Sequence, residues 1–473
     1  MSNVKVGMTG HAPSVLVQPV KNSEQEKYDE VWKHAAYRAH APGEHLVDEF
    51  MLRCRPLPGD TILDFGCGTG RAAIRLAKAN PHFNVVGLDF AAGSLDAEVA
   101  DGVAQGAMKF HVADLTRPIT YAGRLGMCTD VMEHVPEPDV QNTLKNILNA
   151  AQVVFFQICT APDHMGALIG ETLHVTVKPH AWWKAQLEAL ECTFFYEDER
   201  GVESIFVVSN WINVRKLIER GGINIPEEEL RDHIRQNVAA DYTQVTPHEL
   251  QATEIMVVAG GPSLAAYADE IKAKRLDGMP LVTVNGAYNW ALAHGLSPSA
   301  QIMLDGREFM SRMLQPIVPG CKYLLASQMH PSVLRMVPAD QLWMFHAAIS
   351  PKTAEFFDSL YEGKPWFPVP GGSTVMLRTF PLLRILGFRR FHVYGFDSCM
   401  QDDAHHAYAQ PENDSEPVMN IQIGTKTFFC QPWMASQAQE FIDLVRMYGD
   451  EFEMIVYGDG LIANILEHGA SME

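Results

Sequence analysis

Residues 61–210 run through a strict alternation of short apolar segments and helical stretches. TILDFG (61–66), NVVGLDF (84–90), KFHVADL (109–115), RLGMCTD (124–130) and QVVFFQICT (152–160) read as strands. RAAIRLAKAN (71–80), SLDAEVADGVA (94–104), DVQNTLKNILNA (139–150) and WWKAQLEAL (182–190) read as helices between and after them. Alternation of this kind predicts a parallel sheet with helices on both faces. TFFYEDE (193–199) and SIFVVSN (204–210) close the segment as an antiparallel hairpin turned at Arg200-Gly201.

A second alternation follows, with strands expected at 255–260, 281–286, 300–306, 322–327, 341–347, 389–397 and 453–459. The two halves share architecture but not motifs. The fold class expected is therefore α/β, with two doubly wound Rossmann-like domains in tandem. The boundaries expected are a loose N-terminal arm at 1–25, a first domain at 26–212, a helical connector at 213–253 and a second domain at 254–473. A chain of 473 residues has ample length for more than one core.

Charge narrows the partners. The net charge is −20, and a split at residue 215 leaves −8 and −12, so neither half offers a broad basic face to nucleic acid or to an anionic membrane. No apolar run approaches the length of a membrane span, and residues 1–20 lack the pattern of a signal peptide. The eight cysteines are scattered, with no C-x-x-C pair, which suits a reducing compartment without disulfides or a zinc knuckle. A cytoplasmic protein is the expectation.

LDFGCGTG (63–70) is an apolar strand ending in a glycine-rich turn that opens a helix. Gly66, Gly68 and Gly70 let the backbone approach a ligand, and the helix N-terminus offers free N–H groups. Asp64 and Cys67 lie within the turn motif. Asp89, 19 residues past Gly70, stands where a carboxylate takes both ribose hydroxyls of a nucleoside. Asp114, after the third strand, is placed for an adenine edge. Residues 61–210 resemble the class I S-adenosylmethionine-dependent methyltransferases, with DFGCGTG as that family's first motif. CTDVMEHVPEPD (128–139) is similar to the segment after the family's fourth strand. The resemblance implies a seven-stranded sheet, S-adenosylmethionine as methyl donor, and an acceptor near Glu133 and His134. His134, His164, His174 and His180 are the candidate bases on the acceptor side. Tyr28, Trp32 and Tyr37 sit where this family often carries a lid, or pack as an ordinary amphipathic helix. Tandem Trp182-Trp183 reads as core rather than substrate cradle.

VVAGGPSL (257–264) and PGGSTV (370–375) are two further glycine-rich turns entering helices. Gly260, Gly261 and Ser263 of the first, and Gly371, Gly372 and Ser373 of the second, are candidate contacts for phosphate and sugar. Neither is a Walker loop. Asn285, Asp305 and Asp397 stand at strand ends, and DDAHHAY (402–408) follows. Residues 220–468 resemble the MptE-like domain, named for 6-hydroxymethylpterin diphosphokinase. The GGPSL-type turn also occurs in Maf glycosyltransferases and in a bacterial sialyltransferase family. As a diphosphokinase, Asp305 and Asp397 would hold Mg²⁺ on a nucleotide triphosphate. As a glycosyltransferase acting from a nucleotide-sugar, His405 or His406 would be the base on the acceptor hydroxyl.

The function expected is methyl transfer to a small-molecule or glycan-like acceptor, joined in one chain to a nucleotide-binding domain. The alternatives are a glycan-modifying protein with a glycosyltransferase second domain, and a non-catalytic assembly protein that keeps both folds.

Overall fold

The computed structural model describes residues 4–6, 23–39, 42–210, 225–347, 351–362, 364, 366–401, 404–408, 417–448 and 451–468. The chain divides into two compact units, one of residues 12–213 and one of residues 1–11 with 214–473. Each is described by itself.

The 12–213 unit is built on seven strands: β2 Thr61–Phe65, β3 Asn84–Asp89, β4 Lys109–Val112, β5 Gly123–Thr129, β6 Ala151–Cys159, β7 Thr193–Arg200 and β8 Glu203–Ser209. Their order across the sheet is β4-β3-β2-β5-β6-β8-β7. All neighbours are parallel except the two pairings of β8. Period-two geometry on this sheet feeds two cores. Leu63 and Phe65 face one, with the helix Val140–Ala150 and Trp183. Ile62 and Phe155 face the other, with the helices Pro42–Cys54 and Arg71–Ala79. Trp183 is fully buried, so the tandem Trp is core on that side.

The sheet reads outward in opposite directions from β2, through β3 to β4 and through β5 to β6. The carboxyl ends of β2 and β5 therefore flank a switch point, the crevice where doubly wound sheets take ligands.

The second unit has its own sheet: β1 Val4–Val6, β9 Glu254–Val258, β10 Leu281–Val284, β11 Ala300–Met303, β12 Lys322–Ala326, β13 Leu342–Ala347, β14 Pro368–Val369, β15 Arg390–Tyr394 and β18 Glu453–Val456. The order is β1-β18-β15-β9-β10-β11-β12-β13-β14, parallel apart from β1. Strand β1 lies antiparallel to β18. Its three residues fall in the stretch read from sequence as a loose arm. A separate hairpin, β16 Met419–Ile423 and β17 Lys426–Cys430, was not foreseen either. The switch point here lies between β9 and β15. Among the described residues, no helix is long and apolar enough to cross a membrane.

Candidate functional site

At the first switch point, β2 ends in a turn whose shape demands glycine. Gly66, Gly68 and Gly70 all have positive φ, at 66°, 51° and 74°. A Cβ on Gly66 would strike Val131, and one on Gly68 would come within 2.8 Å of the Trp32 ring. Asp89 braces the turn from the end of β3. Its Oδ2 accepts the Gly68 N–H at 2.9 Å, and its Oδ1 accepts the Ala91 N–H at 2.9 Å. Burial lifts its pKa to about 6 against these hydrogen bonds. Asp64 is only 2% exposed, and its Oδ2 has no hydrogen-bond partner. Burial, then the charge of Asp89, lifts it to about 7. The Cys67 sulfur sits where a side chain on Gly87 would be, and burial raises its thiol far above its ordinary range. Asp114 closes a turn of its own, its Oδ1 accepting Thr116 N–H at 3.0 Å and Thr116 Oγ1 at 2.6 Å.

A small aromatic cluster lies over this turn. Tyr28, Val31, Ala91 and Leu173 form its buried part, with Trp32, Tyr37 and Phe90 packed against it. Tyr28 packs on Phe90 at 5.1 Å between ring centroids and meets His134 Nδ1 through its hydroxyl at 2.7 Å. Arg38 fastens this N-terminal segment down, donating to the carbonyls of Trp32, Gly93, Ser94 and Leu95 and pairing with Asp96. These contacts hold Tyr28, Trp32 and Tyr37 packed in place.

Beyond β5 the chain gathers four metal-ligating side chains. One ligand atom from each of Asp130, Glu133, His134 and His174 lies within 4.8 Å of all the others, and among the described residues no other group of three or more comes together this way. Glu133 is fully buried. Its Oε1 accepts the Cys159 N–H at 2.7 Å, while its Oε2 finds no donor. Burial, then the Asp130 carboxylate, pushes Glu133 well above the usual carboxylate range. Burial holds His134 down to about 4, against the opposite pull of Asp130. His134 Nδ1 contacts Leu173 O at 3.1 Å, and His174 Nδ1 contacts Ala161 O at 2.8 Å. The other two candidate histidines lie elsewhere in their contacts: His164 is exposed, and His180 stacks on Phe206 and bonds Ser204. Sequence reasoning named Glu133, His134 and His174 but not Asp130, which occupies the left-handed region at φ 58°. The spacing D-x-x-E-H across the end of β5 was the available signal.

At the second switch point, Gly260 and Gly261 follow β9, and Asp397 follows β15. Gly261 donates its N–H to Gly395 O at 2.7 Å, and Ser263 donates its N–H to Asp397 Oδ2 at 3.0 Å. Burial raises Asp397 to about 6. A Cβ on Gly261 would collide with Asp397 Oδ2, so this glycine makes room for the strand end rather than for a ligand. The space beside Gly260 is filled in turn by Tyr408 and His406, since a Cβ there would collide with the Tyr408 hydroxyl and come within 2.9 Å of the His406 ring. Tyr408 also covers Gly286, next to Asn285, whose buried Oδ1 has no partner. His405 and His406 meet through their Nδ1 atoms at 2.5 Å. Gly260, Asn285, His406 and Tyr408 therefore converge.

Asp305 is held by Arg307, whose Nη2 approaches at 2.5 Å, and Asp397 is a brace under the GGPSL turn. Both carboxylates are thus engaged by protein donors, and this does not fit an open Mg²⁺ pair. The turn at Gly371, Gly372 and Ser373 wraps the Glu440 carboxylate: Ser373 donates to its Oε2 from N–H at 2.7 Å and from Oγ at 2.9 Å. Asp402 and Asp403 lie outside the described residues.

Two family models match the chain. A methyltransferase domain matches residues 62–152, and a 6-hydroxymethylpterin diphosphokinase MptE-like domain matches residues 229–403. No curated protein matches it. Among solved structures, magnesium protoporphyrin IX methyltransferase (ChlM) from Synechocystis PCC 6803 is similar at 17% identity, covering 40% of this chain and 94% of that one, with a TM-score of 0.31. A methyltransferase from Clostridium acetobutylicum is similar at 14% identity, covering 39% and 98%, with a TM-score of 0.31. The assignment of each unit rests on its family model and its motifs, not on these likenesses. Residues 62–152 are thus a methyltransferase domain. In particular, the chain joins an N-terminal methyltransferase domain to an MptE-like domain.

Proposed function

We propose that the methyltransferase unit carries the methyl group to a hydroxyl of a small-molecule or glycan-like acceptor, and that the MptE-like unit binds a nucleotide-linked sugar. The observation that supports the first part is the meeting, at one switch point, of the Gly66–Gly70 turn, Asp89 and the Tyr28–His134 pair. The residues fit the donor: the glycines leave the backbone open and Asp89 offers the carboxylate a ribose diol needs. When bound, the donor supplies a methyl carbon that is already electrophilic. The protein's part is to hold donor and acceptor in line and keep water out, and Tyr28, Trp32 and Tyr37 are placed to do so.

Calorimetry of the full chain with S-adenosylmethionine tests this reading. Micromolar binding that Asp89→Ala weakens supports it. Equal binding by both proteins would remove Asp89 from the site.

For the MptE-like unit, the engagement of Asp305 by Arg307 and of Asp397 by the Ser263 N–H favours the metal-independent, glycosyltransferase-like alternative over the Mg²⁺-dependent diphosphokinase. The convergence of Gly260, Asn285, His406 and Tyr408 supports a ligand there. A nucleotide-sugar that raises the melting temperature equally with and without Mg²⁺ is the expected result.

A further inference from the structure

We propose that Asp130, Glu133, His134 and His174 bind one divalent transition-series cation, and that an oxygen of the methyl acceptor completes its coordination. The geometry is that of a ligand set: two carboxylates and two imidazoles, each offering one atom inside a 4.8 Å circle. The second support is independent of that clustering. Glu133 is fully buried, and its Oε2 has no hydrogen-bond donor. A carboxylate in that position beside Asp130 needs either a proton or a cation.

The two histidines are already set as ligands. A carbonyl oxygen can only accept, so Ala161 O fixes the His174 proton on Nδ1, while His134 Nδ1 is held between Leu173 O and the Tyr28 hydroxyl. The His174 Nε2 lone pair is then left for an ion, and both rings are oriented by outer contacts of the kind that set metal-binding imidazoles. Two imidazoles beside two carboxylates select a borderline ion such as Zn²⁺, Mn²⁺ or Fe²⁺ over Mg²⁺ or Ca²⁺, which prefer oxygen throughout.

Tyr28 connects this site to the methyl donor's side. Its hydroxyl meets His134, and its ring packs on Phe90, the residue after Asp89. The inference rests on the methyl-transfer reading for its chemistry, though not for the metal itself. An acceptor hydroxyl bound to the ion is acidified. It gives its proton to solvent, and its oxygen takes the methyl carbon. The electrons of the broken C–S bond stay on sulfur, turning the sulfonium into a neutral thioether. The acceptor class that fits is an alcohol or phenol, best a vicinal diol able to fill two coordination positions.

Co²⁺ is the probe, titrated into the metal-stripped full chain and followed by its visible absorption. One equivalent should give a band typical of four or five nitrogen and oxygen ligands. His174→Ala and Asp130→Asn should each weaken binding at least about tenfold, while His164→Ala should leave it unchanged. Calorimetry with S-adenosylmethionine on the same variants reports folding. Retained donor binding with lost Co²⁺ binding supports the site. Absence of a band in the wild-type chain, or a band that survives His174→Ala, would overturn it. If donor binding fails while the Co²⁺ result holds, the methyl-transfer reading falls and the metal site stands.

Discussion

Replacing Asp64 by Asn should make the methyltransferase unit more stable above neutral pH and change little in acid. Asp64 is 2% exposed, its Oδ2 has no partner, and its pKa is raised to about 7 by burial and by Asp89. A carboxyl raised in the fold binds its proton more tightly there than in the unfolded chain. Its contribution to stability is complete below the unfolded value near 3.8 and is lost as pH rises through about 7. A shift of this size, at ~1.36 kcal/mol per unit, amounts to roughly 4 kcal/mol in full. Between roughly pH 5 and pH 8, about 2–3 kcal/mol of it disappears. The amide introduced by Asp64→Asn cannot ionise, so that slope should vanish from the variant. Urea unfolding of the full chain at the two pH values measures it, following the transition that S-adenosylmethionine shifts. Equal destabilisation of the variant at both pH values, or a wild-type stability flat across this range, would refute the reasoning.

Asp89→Ala should reduce S-adenosylmethionine affinity at least about tenfold, since two hydrogen bonds to a charged acceptor are worth roughly 1.5–3 kcal/mol each before compensation; calorimetry reads it. Gly261→Val should unfold or loosen the MptE-like unit rather than merely block a ligand, because its side chain would meet Asp397 and Gly395 O; circular dichroism and thermal melting of the variant distinguish the two. The pair of changes His405→Ala with His406→Ala should abolish sugar transfer by the MptE-like unit while leaving donor binding by the methyltransferase unit intact; an assay of transfer from a nucleotide-sugar checks it. Gly68→Ala should cost methyl-donor affinity and stability together, since its φ is positive and its Cβ would press the Trp32 ring; parallel melting and titration curves report both.

Much of the fold was legible because parallel strands leave a strong local signature. TILDFG and VVGLDF are apolar across both sheet faces, and the first ends in a turn that no side chain larger than hydrogen suits. The short strand β14 and the hairpin β16–β17 were not, since MNIQI is half polar and β14 is two residues long. The methyl-donor turn was readable because its three glycines and Asp89 are set by local backbone geometry. The glycine turns of the MptE-like unit were harder to interpret. Sequence shows an open backbone at Gly372 and Ser373 but not the Glu440 carboxylate, 67 residues past Ser373, that takes the serine's hydrogen bonds. Three of the four cluster residues were named from the sequence, but not that they meet or that Asp130 joins them. Glu133 and His134 stand in a motif, whereas His174 reaches them only through the fold.

Strand β1 gives the MptE-like sheet an unusual order of assembly. Val4 pairs with Val456, so β1, earliest of the described strands, is joined to β18, the latest of them. During synthesis, the whole seven-stranded methyltransferase sheet is complete before the partner of β1 exists. That sheet holds mostly near-neighbour pairings and can close as it emerges. The second sheet must wait across some 450 residues for its outermost pairing, a contact of very high sequence separation and correspondingly slow closure. Until then the outer backbone edge of β18 has no strand beside it. By contact separation alone, the β1–β18 pairing is the slowest of that sheet to close.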